Sequence, residues 1–328
     1  MPDLKAAVFN LTSLNPDAIN CNSPIALFLA DVLKIPVWGD SRDKVTGLRG
    51  SEELLRYKPD VLFVINGLMH HCHCQEELAT VISKAKQVIW VINDYHLEKP
   101  SHKSTSTASP VLVAIQKGLR RGMSLDFWTT VPHYTERSEL SQLISWDYLF
   151  YNRIEPRRPS VRNLLYYGAM RQGRQEVFDR YFEKPHPDIT VMAGLPQHEK
   201  WLGRYPHLKL APPVPHHQLA ETISEYSLGL YLQDKVRFFV NPAARFYEML
   251  GAGLPILFQE EAVSRFEAVG VDIRPFVLED TDQLEYFLRR RSKIYAAQVG
   301  WNKDFNQLLR KEVKAAWARN LKALGGKR

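Results

Sequence analysis

Short apolar runs alternate with amphipathic stretches along nearly the whole chain, and this alternation limits the folds open to it more than any other feature. "KAAVFNL", "PDVLFVING" and "QVIWVIND" read as strands, the last two apolar enough to be covered on both faces. "SPIALFLADVLK" and "QEELATVISKA" read as helices between them, the first with Ser23 as N-cap and Pro24 at its first position. "HKSTSTASP" reads as a polar loop, and "MSLDFWTTV" and "WDYLFYN" as further strands. Strand and helix in strict alternation predict α/β architecture with parallel sheets and crossover helices.

The pattern breaks once. "NRIEPRRPSVRN", Asn152 to Asn163, carries two prolines and four arginines without apolar period, and reads as an interdomain linker. The alternation then restarts with "NLLYYGAM", "RQEVFDRYF", "DITVMAG", "HHQLAETISEY", "SLGLYLQ", the helix after Asn241 and the strand "LPILF". "TDQLEYFLRRRSKIYAAQ" predicts another helix. Lys303 to Leu324 predicts a long terminal one, with Phe305, Leu308, Leu309, Val313, Trp317, Leu321 and Leu324 on one face. With 328 residues the chain suits two domains of roughly 150 each. The expected division is 1–155 together with 303–328 for the first, and 161–302 for the second. Two such βα domains predict a ligand cleft at the carboxyl ends of their strands.

Bulk properties exclude several classes. Apolar residues make up 45% of the chain and charged ones 24%, which suits two buried cores. No run approaches the roughly 18 apolar residues of a membrane span. "MPDLKAAVFN" does not have the form of a secretory signal, so a cytoplasmic protein is expected. Three cysteines, Cys21, Cys72 and Cys74, do not make a disulfide framework. "HHCHC", His70 to Cys74, lacks a second ligand half at metal spacing and is not read as a zinc site. The formal net charge of +7 favours a polyanionic partner, whether nucleotide, nucleic acid or anionic surface.

Two stretches of the second half carry chemistry. "YYGAMRQGR" ends a strand at Gly168 and places Arg171 and Arg174 at the following helix entry, where guanidinium forks suit a diphosphate or, equally, a solvated turn. "NPAARFYEMLGAGLPILF" offers Asn241 as a cap, Pro242 at the first turn, and Ala243 and Ala244 small enough for close approach to exposed N–H groups, an anion site. Arg245 and Glu248 follow on that helix. A carboxylate at Glu248 can accept hydrogen bonds from two vicinal hydroxyls, or simply face solvent. Gly251 and Gly253 end the helix and return the chain to the sheet.

"RFYEMLGAGLPILF" resembles the donor-site segment of GT-B glycosyltransferases, and "YYGAMRQGR" resembles the phosphate-binding turn that opens their second domain. The resemblance covers the second half by motif and the first half by architecture. It implies two Rossmann-like domains, with the terminal helix crossing back to the first. It also implies that Glu248 binds the nucleotide ribose, that Arg171 and Arg174 hold the diphosphate, and that the helix start at Asn241 faces phosphate or sugar. Gly168 and Arg245 join that donor set. Many retaining members carry a second acid eight positions before the ribose acid; here that position is Val240. The donor implied is a nucleoside diphosphate sugar, UDP-linked by expectation. No acidic metal motif is evident, so transfer without a metal is expected, and the resemblance leans to retention.

The acceptor is expected to meet the first domain. Asp94 and Tyr95 end "VINDY" where a cleft-facing loop should begin, and Asp94 could orient or deprotonate a hydroxyl or serve only as a turn residue. His70 and His71 follow the strand ending at Gly67. Basic stretches "KGLRRG", "EPRRPSVR" and "LRRRSK", with Trp128, Tyr134, Trp146, Tyr148 and Tyr151 between them, suit nucleic acid. A small basic GT-B chain of this kind resembles the bacteriophage enzymes that glycosylate hydroxymethylated bases in DNA, where the base is flipped from the stack, and a monomer is expected. Two other readings stay open: a bacterial glycosyltransferase acting on surface polysaccharide or protein, and a non-catalytic nucleic-acid-binding protein of the same fold.

Overall fold

The computed structural model describes residues 4–11, 22–40, 49–65, 73–92, 109–129, 140–143, 159, 161–168, 175–214, 216–232, 244–267 and 270–325. The chain divides into two units, one of residues 1–146 and 308–328, the other of residues 147–307.

The first unit is built on six parallel strands: β1 (Ala6–Asn10), β2 (Val37–Gly39), β3 (Val61–Ile65), β4 (Gln87–Ile92), β5 (Ser124–Thr129) and β6 (Leu140–Leu143). Their order across the sheet is β2-β1-β3-β4-β5-β6. Every residue of β1 and of β3 is buried, as expected of central strands covered on both faces. On one face Phe9, Leu62 and Val64 pack with Leu78, Val81 and Ile82 of the Gln75–Ile82 helix. On the other, the Phe63 ring meets Trp128 of β5 and Trp317 of the last helix, at 5.2 and 5.4 Å between centroids.

The second unit has five parallel strands: β7 (Val161–Tyr167), β8 (Ile189–Met192), β9 (Lys209–Ala211), β10 (Tyr226–Tyr231) and β11 (Ile256–Phe258), in the order β11-β10-β7-β8-β9. An aromatic cluster of Tyr166, Phe178, Phe182, Trp201 and Tyr205 anchors the helices Gln175–Phe182 and Leu195–Arg204 on one side of β7, with neighbouring ring centroids 5.0 to 6.0 Å apart. Successive strand residues face opposite ways, so fixing Tyr166 in this cluster turns Tyr167 to the other face.

The Ala244–Gly251 helix docks against β10 because Gly229 there has no side chain. A Cβ at Gly229 would lie 2.3 Å from the Met249 sulfur. The helix is closed by paired bonds, Gly253 N to Leu250 O at 3.0 Å and Leu254 N to Met249 O at 2.9 Å, with Gly253 at φ +70°. This left-handed glycine cap turns the chain directly into β11, as the two glycines predict.

Most expected elements are observed close to where the pattern puts them. Three differences have physical causes. Arg162 and Asn163 belong to β7, not to a linker; Asn163 is buried and bonds Thr190 of β8 at 2.7 Å, a contact that a run rich in arginine and proline obscures. The helix expected from Thr281 is instead a one-turn 3-10 segment capped by Asp280, a helix Leu284–Arg289, and a break at Arg290 with φ −98°. From Arg291 a single helix runs to Gly325, with no second start near Lys303 and with Gly300 inside it. Its first part serves the second unit: the Gln298 amide donates to Ile256 O at 2.8 Å and accepts from Ile256 N at 2.7 Å, pairing the open edge of β11. Its last part, with Val313 and Ala316 buried, belongs to the first unit. The expected strand "WDYLFYN" lies outside the described residues, as does all of "HKSTSTASP" before Ser109.

Candidate active site

In the second sheet the chain moves from β7 outward to β8 and β9, then returns to the opposite side of β7 at β10. Open parallel sheets bind ligands at such a reversal, beyond the carboxyl ends of the strands. The end of β7 supplies Tyr166, Tyr167 and Gly168. The helix that follows β10 supplies Arg245 and Glu248.

Glu248 is the fifth residue of the Ala244–Gly251 helix and is 5% exposed. Its Oε2 accepts a hydrogen bond from the Tyr167 hydroxyl at 2.7 Å. Burial raises the Glu248 pKa; the Tyr167 bond and the Arg245 charge pull the other way and offset only part of it. Burial together with the Glu248 charge holds the Tyr167 phenol well above its ordinary value, so Tyr167 stays a donor. The same hydroxyl lies 3.4 Å from the main-chain carbonyl of Arg245.

Arg245 is partly buried, and its Nη1 donates to the Tyr167 carbonyl at 2.9 Å. Its guanidinium lies over the Tyr166 ring, 5.2 Å from the centroid. Burial disfavours the charge, but Tyr166 and Tyr167 outweigh it and hold the group cationic. Gly168 makes this approach possible: a Cβ there would sit 3.0 Å from Arg245 Nη1, and its φ of +144° suits glycine. A held cation and a buried carboxylate thus stand together at the sheet reversal. The pair is chemically suited to an anion beside a diol.

Of the residues singled out from sequence, Gly168, Arg245 and Glu248 are brought together here. Arg171, Arg174, Asn241, Asp94, Tyr95, His70 and His71 lie outside the described residues, as do Pro242, Ala243 and Val240. His70 and His71 are in the segment directly after β3, and Asp94 and Tyr95 come just after β4. Within that part of the first unit the His73 main-chain N–H donates to Asp40 at 2.6 Å, and Cys74 is buried. His216 and His217 begin the His216–Ser224 helix. Among the described residues no group of three or more His, Cys, Asp or Glu is placed to hold a metal ion, and no helix is long and apolar enough to cross a membrane. Sequence reasoning missed Tyr166 and Tyr167. The signal for them was an aromatic pair directly before the strand-ending glycine.

Two parallel-sheet units, with the terminal helix passing from the second to the first, define the GT-B fold that the motifs implied. Solved structures agree over nearly the full length. T4 phage beta-glucosyltransferase in complex with UDP and Mn2+ is 15% identical with a TM-score of 0.65, covering 96% of this chain and 99% of that one. The T4 phage enzyme in complex with its UDP-glucose substrate is 14% identical with a TM-score of 0.63, over 96% and 98%. A crystal structure described as the DNA modifying enzyme beta-glucosyltransferase, with and without uridine diphosphoglucose, is 14% identical with a TM-score of 0.60, over 97% and 98%. At these identities the likeness is one of fold. No protein-family model and no curated protein sequence matches the chain.

Proposed function

We propose that the protein is a glycosyltransferase that moves a sugar from a uridine diphosphate sugar to the hydroxyl of a hydroxymethylated base in DNA. The observation that carries this reading is the Arg245–Glu248 pair at the reversal of the second sheet, in a chain that shares its fold end to end with the T4 phage enzyme. The net charge of +7 supports a polyanionic acceptor.

In this reading Glu248 receives the ribose hydroxyls, while Arg171, Arg174, Arg245 and the N–H groups following Asn241 receive the diphosphate. The acceptor oxygen bonds to the anomeric carbon as the carbon–oxygen bond to the diphosphate breaks. The electron pair leaves on UDP, and Asp94 takes the hydroxyl proton. His70, His71 and Tyr95 orient the acceptor. Charge grows on the diphosphate as its bond breaks, so the arginines stabilise the transition state more than the bound donor. They carry that charge without a metal, so turnover is expected to persist in chelator. Direct displacement aided by Asp94 inverts the anomeric carbon, whereas the resemblance leans to retention; the anomeric coupling constant of the product sugar distinguishes them.

The test is Glu248→Ala with UDP-glucose as ligand. Loss of nucleotide binding with duplex DNA binding retained supports the reading. Unchanged UDP-glucose affinity contradicts the site.

A further inference from the structure

Tyr167 stands outside the chemistry described so far, yet it touches both charged groups of the site. Its hydroxyl bonds Glu248 Oε2 at 2.7 Å and its carbonyl accepts from Arg245 Nη1 at 2.9 Å. We infer that Tyr167 is a positioning residue for donor binding: it occupies one oxygen of the Glu248 carboxylate and aims the other at the ribose diol. This rests on the reading of Glu248 as the ribose acceptor.

A glutamate carboxylate has three rotatable bonds before its oxygens. In a buried site it adopts one orientation only if a fixed donor holds it. Tyr167 is such a donor, because its ring is buried and its strand is fixed at Tyr166 by the aromatic cluster. The same strand end holds the guanidinium, so the spacing between the phosphate-side cation and the ribose-side anion is set by one residue. Electrostatics add to this. Burial disfavours the charged carboxylate, and the groups acting against that are the Tyr167 hydroxyl from β7 and the Arg245 charge from the same helix. Without the hydroxyl, Glu248 would take up a proton at a higher pH. The phenol itself does not titrate in the working range, since its own pKa is raised well above 10.

The experiment is calorimetric titration of the full chain with UDP and with 2′-deoxyuridine diphosphate, from pH 5 to 8, for wild type, Tyr167→Phe, Glu248→Gln and the double variant. Tyr167→Phe is expected to weaken UDP binding about ten-fold, as for loss of a hydrogen bond to a charged group. It should narrow the preference for UDP over the deoxy analogue and move the acidic loss of affinity to higher pH. In the Glu248→Gln background the same substitution should have little effect. A purely structural tyrosine would instead lower affinity equally at every pH and in both backgrounds, and that result overturns the inference. If Tyr167→Phe fails to fold, the wild type and Glu248→Gln decide. An acid limb present in the first and absent in the second supports the inference, and identical pH profiles overturn it. Wild-type protein that binds no UDP removes the donor-site reading and this inference together. UDP binding that Glu248→Gln and Tyr167→Phe both leave unchanged also overturns it.

Discussion

The Arg245 guanidinium hydrogen-bonds the main-chain carbonyl of Tyr167 at 2.9 Å, and it does so beside Gly168, which has no side chain to block the approach. Gly168→Ala tests that arrangement. The new Cβ would meet Arg245 Nη1 at 3.0 Å, on a backbone with φ +144°. The expected outcome is a stability loss of about 1–3 kcal/mol by denaturant unfolding, from backbone strain alone. A fall in UDP affinity should accompany it as the guanidinium is pushed aside.

Glu248→Gln should separate stability from function. The folded carboxyl has a raised pKa, so the stability linked to its protonation is present below the ordinary value of 4.5. That stability is lost as pH rises through the raised folded value. Above that window the wild type bears a buried charge that the amide does not. The variant is therefore expected to melt at a higher temperature than wild type at pH 7, with the difference shrinking toward pH 4, while its UDP affinity drops. A lower melting temperature at pH 7 would contradict the sign of the shift.

Gln298→Ala removes a side chain that satisfies both the N–H and the carbonyl of Ile256 at the edge of the second sheet. Both groups are buried, and leaving them unpaired costs about 1–3 kcal/mol each. Chemical denaturation should show a loss near the sum of the two. UDP affinity measured well below the unfolding transition should change little, because the Gln298 amide bonds Ile256 at the sheet edge.

The sequence was most legible where burial enforces a pattern. Strands such as Val61–Ile65 and Ile256–Phe258 are apolar throughout because they are covered on both faces, and a parallel sheet follows from that. Gly251 and Gly253 gave the end of the site helix because a left-handed cap has a residue requirement. Short edge strands escaped notice. Val37–Gly39 and Lys209–Ala211 are three residues each, too short to show a period. Gly50–Tyr57 and Pro110–Arg120 also went unremarked, being short amphipathic helices between stronger strand signals. The division at Arg290 was invisible because no glycine or proline marks it; the break lies in the backbone of an arginine within "LRRRSK". At the site, Glu248 and Arg245 were legible as charges on a helix. The bond from Tyr167 was not, because it joins residues 81 apart.

Binding to duplex DNA should depend steeply on salt, since affinity that comes from phosphate contacts falls with each counterion released. Fluorescence anisotropy between about 50 and 200 mM salt is expected to show a loss of about three orders of magnitude, as for roughly six phosphate contacts. A salt-independent isotherm would remove the phosphate argument for the acceptor.

Nucleoside mass spectrometry reads sugar transfer from a UDP sugar to a hydroxymethylated base without an intermediate assay. The protein would be incubated with a panel of sugar nucleotides and with duplex DNA carrying either ordinary or hydroxymethylated pyrimidines, then the DNA digested to nucleosides. A hexose or pentose mass should be added to the hydroxymethylated nucleoside alone. Donor hydrolysis or donor binding with no addition to any base would contradict the DNA acceptor and move it to polysaccharide or protein. No donor binding at all would contradict the reading of Arg245 and Glu248 on which the account stands.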